Sequence, residues 1–269
     1  MAERLEMIAK DVDFQANPYA NSERARYFRN LVERLRESVS PTDRRGQIQL
    51  LGAQFGLATE PLFDGQTEEA VQQFRHVQEY ERGDLRNPHF QRDLQDLLAI
   101  AHLRLGVQKN CIARHSIDSC LFPIRGSGVH KIERGSRAAI KEYLAILNEA
   151  PEDLTPRWLL NVAYMMLGEY PEKVPQKYLI PPKAFESEYD INRFYDVAPR
   201  LGLDVVGLAG GSIMEDFDGD GYLDIMASSW GFRDQLRYFR NNGDGTFTDR
   251  TKEAGLMGIV GGLNICHAD

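Results

Sequence analysis

The sequence predicts an α+β, multidomain chain, with a helical domain over residues 1–175, a linker over 176–192 and a strand-and-turn region over 193–269. Three observations predict it. From about residue 22 to residue 175, apolar side chains recur at the spacing that lines one face of a helix. Prolines at 171, 175, 181 and 182 then punctuate the chain and disfavour a long regular helix. From Asn192 onward, short apolar runs alternate with glycines and Asp-rich turns, the pattern of strands joined tightly.

Composition agrees with this reading. A length of 269 residues holds one large domain or two of ordinary size. Hydrophobic residues make up 42%, charged residues 27%, and there are only three cysteines, which excludes a collagen, a disulfide-stapled miniprotein or a dense cysteine metal array. No run of 18 or more apolar residues occurs, so no integral membrane segment is expected. The 32 basic against 40 acidic residues give a net charge of -8, which disfavours a nucleic-acid groove because phosphate binding needs clustered Lys and Arg. Arg24, Arg26 and Arg29 alternate with Glu23 and Glu33, as on the polar face of a helix. The first residues, MAERLEMIAKDVDF, carry acids where a secretory signal has an apolar segment. Either the mature protein is not exported, or its leader is absent from this sequence.

The elements follow in order. Ser22 to Val39 forms a helix with Ser22 as its cap and Tyr27, Leu31 and Leu35 on one face. Gln47 to Leu57 and Glu68 to Glu81 follow, the latter capped by Thr67. Phe90 to Leu105 ends at Gly106. After a gap, Gly135 to Asn148 and Thr155 to Leu167 resume the pattern, with Gly168 as the stop. AIKEYLAILNEAPED and TPRWLLNVAYMMLGEYPE look like the second helix of one tetratricopeptide unit and the first of the next. Small Ala163 admits a close neighbour, while Trp158, Leu159 and Tyr164 fill the seam. Ala101, Leu105 and Gly106 echo Ala163, Leu167 and Gly168 at an interval of 62, longer than the regular 34-residue period, so an insertion separates the units.

That insertion carries Cys111, His115, Cys120 and His130. Two sulfurs and two imidazoles suit tetrahedral zinc or copper(I). The spacing matches neither a regular zinc finger nor a c-type haem attachment. A buried Cys111, a Cys111 to Cys120 disulfide and surface histidines are the alternatives. Cys266 and His267 would join this cluster if the two domains meet there. His76, His89 and His102 fall in helical segments and read as surface or interface residues. There is no nucleophile elbow, phosphate loop, dinucleotide fingerprint or HExxH motif.

In the strand region, GYLDIMASSW supplies Leu223, Ile225 and Ala227 for one strand, and LRYFR and TFTDR form a hairpin around NNGDG. Leading into the first of these strands is the sharpest chemical signal, Asp216, Asp218, Asp220 and Asp224 in a glycine-rich turn. Alternating carboxylates that point inward repel one another unless a cation sits among them. Calcium suits them best, held by Asp216, Asp218, Asp220, the Tyr222 carbonyl and Asp224, because its oxygen shell is large and flexible. The loop is not an EF-hand, since Ala227 stands where that loop has a bidentate glutamate. An Asx-rich turn held by hydrogen bonds alone is the alternative.

A partial repeat follows. FYDVAPRLGL at Phe194 aligns with FTDRTKEAGL at Phe247 at an offset of 53, which carries Asp216 onto Asp269, the last residue. One and a half such units cannot close a propeller and would expose sheet edges. The sequence is therefore expected to be the N-terminal portion of a longer protein, or to need another chain to complete the sheet. A small hairpin domain is the alternative.

IMEDFDGDGYLDI and YFRNNGDGTFTDRTKEAGL resemble the FG-GAP/VCBS repeats found with ASPIC/UnbV-type extracellular domains. The resemblance covers roughly residues 193 to 269. It implies a tetratricopeptide-like helical domain followed by an incomplete calcium-binding β-propeller-like region, with the family's metal ligands falling on Asp216, Asp218, Asp220, Tyr222 and Asp224. The function expected is a calcium-stabilised scaffold for a protein or peptide partner in an extracellular or periplasmic setting. The rival expectation is a transition-metal oxidoreductase using copper at the Cys/His site.

Overall fold

A computed structural model describes residues 2–11, 21–81, 85–112, 116, 118–119, 121–189, 195–231 and 233–268. The chain forms two compact units, one of Phe14–Phe194 and one of Met1–Asp13 with Tyr195–Asp269.

The first unit is a paired-helix solenoid of tetratricopeptide-like form. Its helices are α2 (Asn21–Ser38), α3 (Arg44–Phe63), α4 (Thr67–Tyr80), α5 (Pro88–Val107), α6 (Arg134–Glu149) and α7 (Leu154–Met166); α1 (Ala2–Asp11) belongs to the other unit. Each helix packs along the next in chain order. The core runs with them, from Val32, Leu50 and Leu57, through Leu62, Phe74, Val77 and Leu98, to Tyr143, Ile146, Leu160 and Met165. Removing each such large side chain from water contributes roughly 1.5–3 kcal/mol.

Three sequence signals act differently from expectation. The Ser22 hydroxyl donates to Asp64 at 3.0 Å across to the end of α3 and does not cap α2, which begins one residue earlier. Thr67 is the first residue of α4, its hydroxyl buried without a partner, and the cap position falls to Gln66. Gly106 does not stop α5. It is a contact point, because a Cβ there would lie 2.9 Å from Ser136 Oγ, and one on Gly135 would lie 2.4 Å from the Gly106 nitrogen. The two glycines let α5 and α6 touch backbone to backbone. By contrast, Gly168 does end α7, in the left-handed region at φ +65°. Asp43 and Asn87 supply side-chain caps for α3 and α5.

Beyond α7 the chain stays packed. Tyr178 is fully buried and its hydroxyl donates to the Leu147 carbonyl at 2.7 Å. Buried Asn161 donates to the Tyr178 carbonyl at 2.9 Å and accepts from the Ile180 amide at 3.0 Å. Arg157 donates to the Tyr178 and Leu179 carbonyls. The expected linker at 176–192 thus begins with residues held against α7.

The second unit is a four-stranded, wholly antiparallel, unclosed sheet in the order β1 (Ala209–Glu215), β2 (Asp224–Ser229), β3 (Arg237–Asn241) and β4 (Phe247–Asp249). It has the form of an incomplete propeller-like region. Ile225 pairs with Phe239 and Met226 with Tyr238, while Phe239 pairs with Asp249. The NNGDG hairpin closes with the Asn242 amide donating to the Thr246 carbonyl at 3.0 Å, and Gly243 and Gly245 take positive φ.

At the 53-residue offset, the segments Asp196 to Leu203 and Asp249 to Leu256 form the same turn. Asp196 and Asp249 each accept the amide two residues on, at 3.1 and 3.0 Å. The Leu203 amide donates to the Ala198 carbonyl at 2.9 Å, and the Leu256 amide donates to the Thr251 carbonyl at 3.0 Å. Gly202 and Gly255 turn the chain at φ +71° and +72°. In the first copy this turn follows the short helix α8 (Ala198–Leu201). Asp269, the residue aligned with Asp216, lies outside the described residues.

Candidate metal centre

The acidic loop links β1 to β2 and folds around Asp216. One Asp216 oxygen accepts the Gly219 and Asp220 amides at 2.8 and 3.0 Å, and the other accepts the Gly221 amide at 2.9 Å. Gly219 and Gly221 allow the tight curl through positive φ. Asp218 accepts the Asp220 amide at 3.2 Å, and Asp220 accepts the Tyr222 amide at 2.9 Å. At the start of β2, Asp224 is fully buried and accepts the Tyr238 hydroxyl and the Asn241 amide, both at 2.7 Å.

Carboxylate oxygens of Asp216, Asp218 and Asp224 all lie within 4.8 Å of one another. Beside this trio, Arg240 donates to Asp220 at 2.6 Å and also pairs with Asp218. The Arg240 guanidinium holds the Asp218 carboxyl below its usual range. Burial, and then the nearby Asp224 carboxylate, push the Tyr238 phenol up. The Tyr222 side chain is half exposed and lies over Gly243.

The donor set is oxygen only and acidic, which fits a hard divalent cation such as calcium and does not fit copper. Arg240, Tyr238 and Asn241 were not legible as parts of this site. They lie some 15 residues downstream, and only the β2 to β3 register, with Ile225 opposite Phe239, brings them beside the loop.

Of the Cys/His candidates, Cys111 and His130 meet. The Cys111 sulfur is 3.5 Å from His130 Nε2, and His130 Nδ1 is 2.9 Å from the buried Ser136 hydroxyl. Burial lowers the His130 pKa. His115 and Cys120 lie outside the described residues. His267 belongs to the sheet unit, its ring edge-on to Phe217 and its Nδ1 3.8 Å from Glu215, and Cys266 beside it is exposed. His102, expected at a surface or interface, is buried.

Among the described residues no helix is long and apolar enough to cross a membrane. Residues 216–269 match the model of the FG-GAP-like repeat, so this part of the chain is similar to that family. Comparison with curated proteins and with solved structures yields no match.

Proposed function

We propose that the chain is a calcium-stabilised scaffold for a protein or peptide partner, its helical solenoid offering the binding face and its acidic loop holding the ion. The observation that carries the reading is the convergence of Asp216, Asp218 and Asp224 oxygens within 4.8 Å, inside the segment similar to the FG-GAP-like repeat. Asp224 is buried and fixed by two donors, and Asp216 is preset by three amides, so little ordering remains for ion binding to impose. With calcium bound, these carboxylates supply hard oxygen ligands, with Asp220 and the Tyr222 carbonyl as further donors. The ion's role is structural: it offsets the mutual repulsion of the loop carboxylates and ties β1 to β2. An extracellular or periplasmic setting suits a site of this kind. The helical pairs favour peptide or protein binding because stacked repeats present long surfaces without a reactive centre.

Isothermal titration of the full chain with calcium, and thermal scans with and without it, test the proposal. Asp216→Ala is expected to weaken calcium binding and to remove most of the calcium-dependent rise in unfolding temperature. Unchanged values in both would sink the assignment.

A further inference from the structure

We propose that the cleft running along α5 between α4 and α6 receives an extended peptide segment, and that an acidic side chain of that segment docks among Arg75, Lys141 and Arg134. The inference rests on the reading of the solenoid as a peptide scaffold, and it names where the peptide lies and what chemistry it carries.

The cleft follows from the packing order. α5 packs extensively on both α4 and α6, which make little contact with each other, so α5 is a floor with a wall on either side. Two adjoining cavities of about 480 and 360 Å³ open along it, and Gln78 of α4 lines both. Buried Leu94 and Leu98 give each cavity an apolar base. From Pro88 to His102 the floor is roughly 20 Å long, the span of about six residues of extended chain. The Gln78 amide has no hydrogen bond among the described residues. It can therefore donate to a peptide carbonyl and accept from a peptide N–H, a pairing that a polypeptide offers and a bare anion does not.

The two ends of the cleft differ in charge. At the end nearer Pro88, Arg92 is already engaged by Asp96 and Asp153, at 2.8 and 2.6 Å. Toward the other end Arg75 of α4 and Lys141 of α6 line the second cavity, and neither has an ion pair or hydrogen bond among the described residues. Arg134, seven residues before Lys141 and so on the same face of α6, is likewise unpaired. Glu79 and Glu142 line this cavity too. Glu142 accepts from Gln95 at 3.4 Å and Glu79 lies 3.9 Å from His76, so three open cations stand against two carboxylates that already have neighbours.

On the floor, one turn beyond Leu98, lies His102. It is only 4% exposed, yet neither ring nitrogen has a hydrogen-bond partner among the described residues and neither is sealed from solvent. Burial, and then Arg75 and Arg134 from the two walls, keep the ring uncharged at neutral pH. A buried polar group without a partner costs stability, and a ligand that completes it recovers the loss. A carboxylate at this end would accept from the cations of both walls and from the ring N–H together.

The test uses the full chain to select from a phage library of random peptides. The enriched peptides are then labelled and titrated by fluorescence anisotropy. They are expected to share an Asp or Glu at a fixed position. Amidating that residue to Asn or Gln should weaken binding roughly 10-fold, as should Arg75→Gln with Lys141→Gln in the protein, and the two losses should not add. These two side chains are exposed, so far-UV circular dichroism should stay unchanged. Arg104→Gln removes an exposed, unpaired arginine from the opposite side of α5 and should leave the affinity as it is. Enriched peptides with no shared acidic position, or with an affinity indifferent to Arg75 and Lys141, would overturn this proposal and leave the scaffold reading in place. If no peptide is enriched, the scaffold reading falls and this proposal falls with it.

Discussion

At the scale of single residues, two ionisable groups carry the sharpest consequences. His102 is buried in α5 and its pKa is lowered to about 4, first by burial and then by Arg75 and Arg134. Because the unfolded chain takes up this proton near pH 6.5 and the folded chain only near 4, its contribution is intact above 6.5 and is lost as pH falls toward 4. The slope is on the order of 1.4 kcal/mol per pH unit inside that window. Urea unfolding between pH 7 and 4.5 should therefore be shallower in pH for His102→Gln than for the parent, and parallel curves would count against the assignment. Arg240 poses a different question, since it sits on Asp218 and Asp220 as a built-in cation. Replacing it with Gln removes a competitor for those oxygens and leaves the loop one unit more negative, so calcium affinity should rise several-fold and fall more steeply with ionic strength. A fall in affinity would mean that Arg240 arranges the carboxylates and does not compete for them.

At the scale of elements, what was legible in the sequence was periodic or local. The order of the helices, the Gly168 stop and the NNGDG hairpin each declare themselves within a few residues. The acidic loop did too, because alternating Asp with Gly has few other uses. Less legible were features decided by a neighbour distant in sequence. Gly106 reads as a helix stop, yet it is spent on contact with Gly135 and Ser136 of α6. Ser22 reads as a cap, yet its hydroxyl is claimed by Asp64. Arg240 reads as one basic residue among many until the β2 to β3 register sets it beside the loop. The helix contact makes its own prediction. Gly135→Ala places a methyl 2.4 Å from the Gly106 nitrogen and 2.7 Å from the His102 carbonyl, both backbone atoms that cannot step aside. Forcing α5 and α6 apart should cost on the order of 1–3 kcal/mol. Chemical denaturation should show it, whereas Gly52→Ala, with open space around it, should be neutral or mildly stabilising.

At the scale of the whole molecule, the two units differ in what stabilises them. The solenoid rests on a continuous apolar core, while the sheet buries few large side chains, chiefly Tyr238 and Phe239, and leans on its loop hydrogen bonds. Differential scanning calorimetry of the full chain should show calcium raising one transition and leaving the other in place, and Asp216→Ala should cancel only that rise. A single transition displaced as a whole would contradict this picture. The residues after α7 bear on the reach of the solenoid itself. With Tyr178 anchored on Leu147 and Asn161 gripping residues 178 to 180, an irregular strip of chain occupies flank that a further helical pair would use. It acts as a stopper: at that end the helical stacking gives way to an irregular strip packed on α6 and α7.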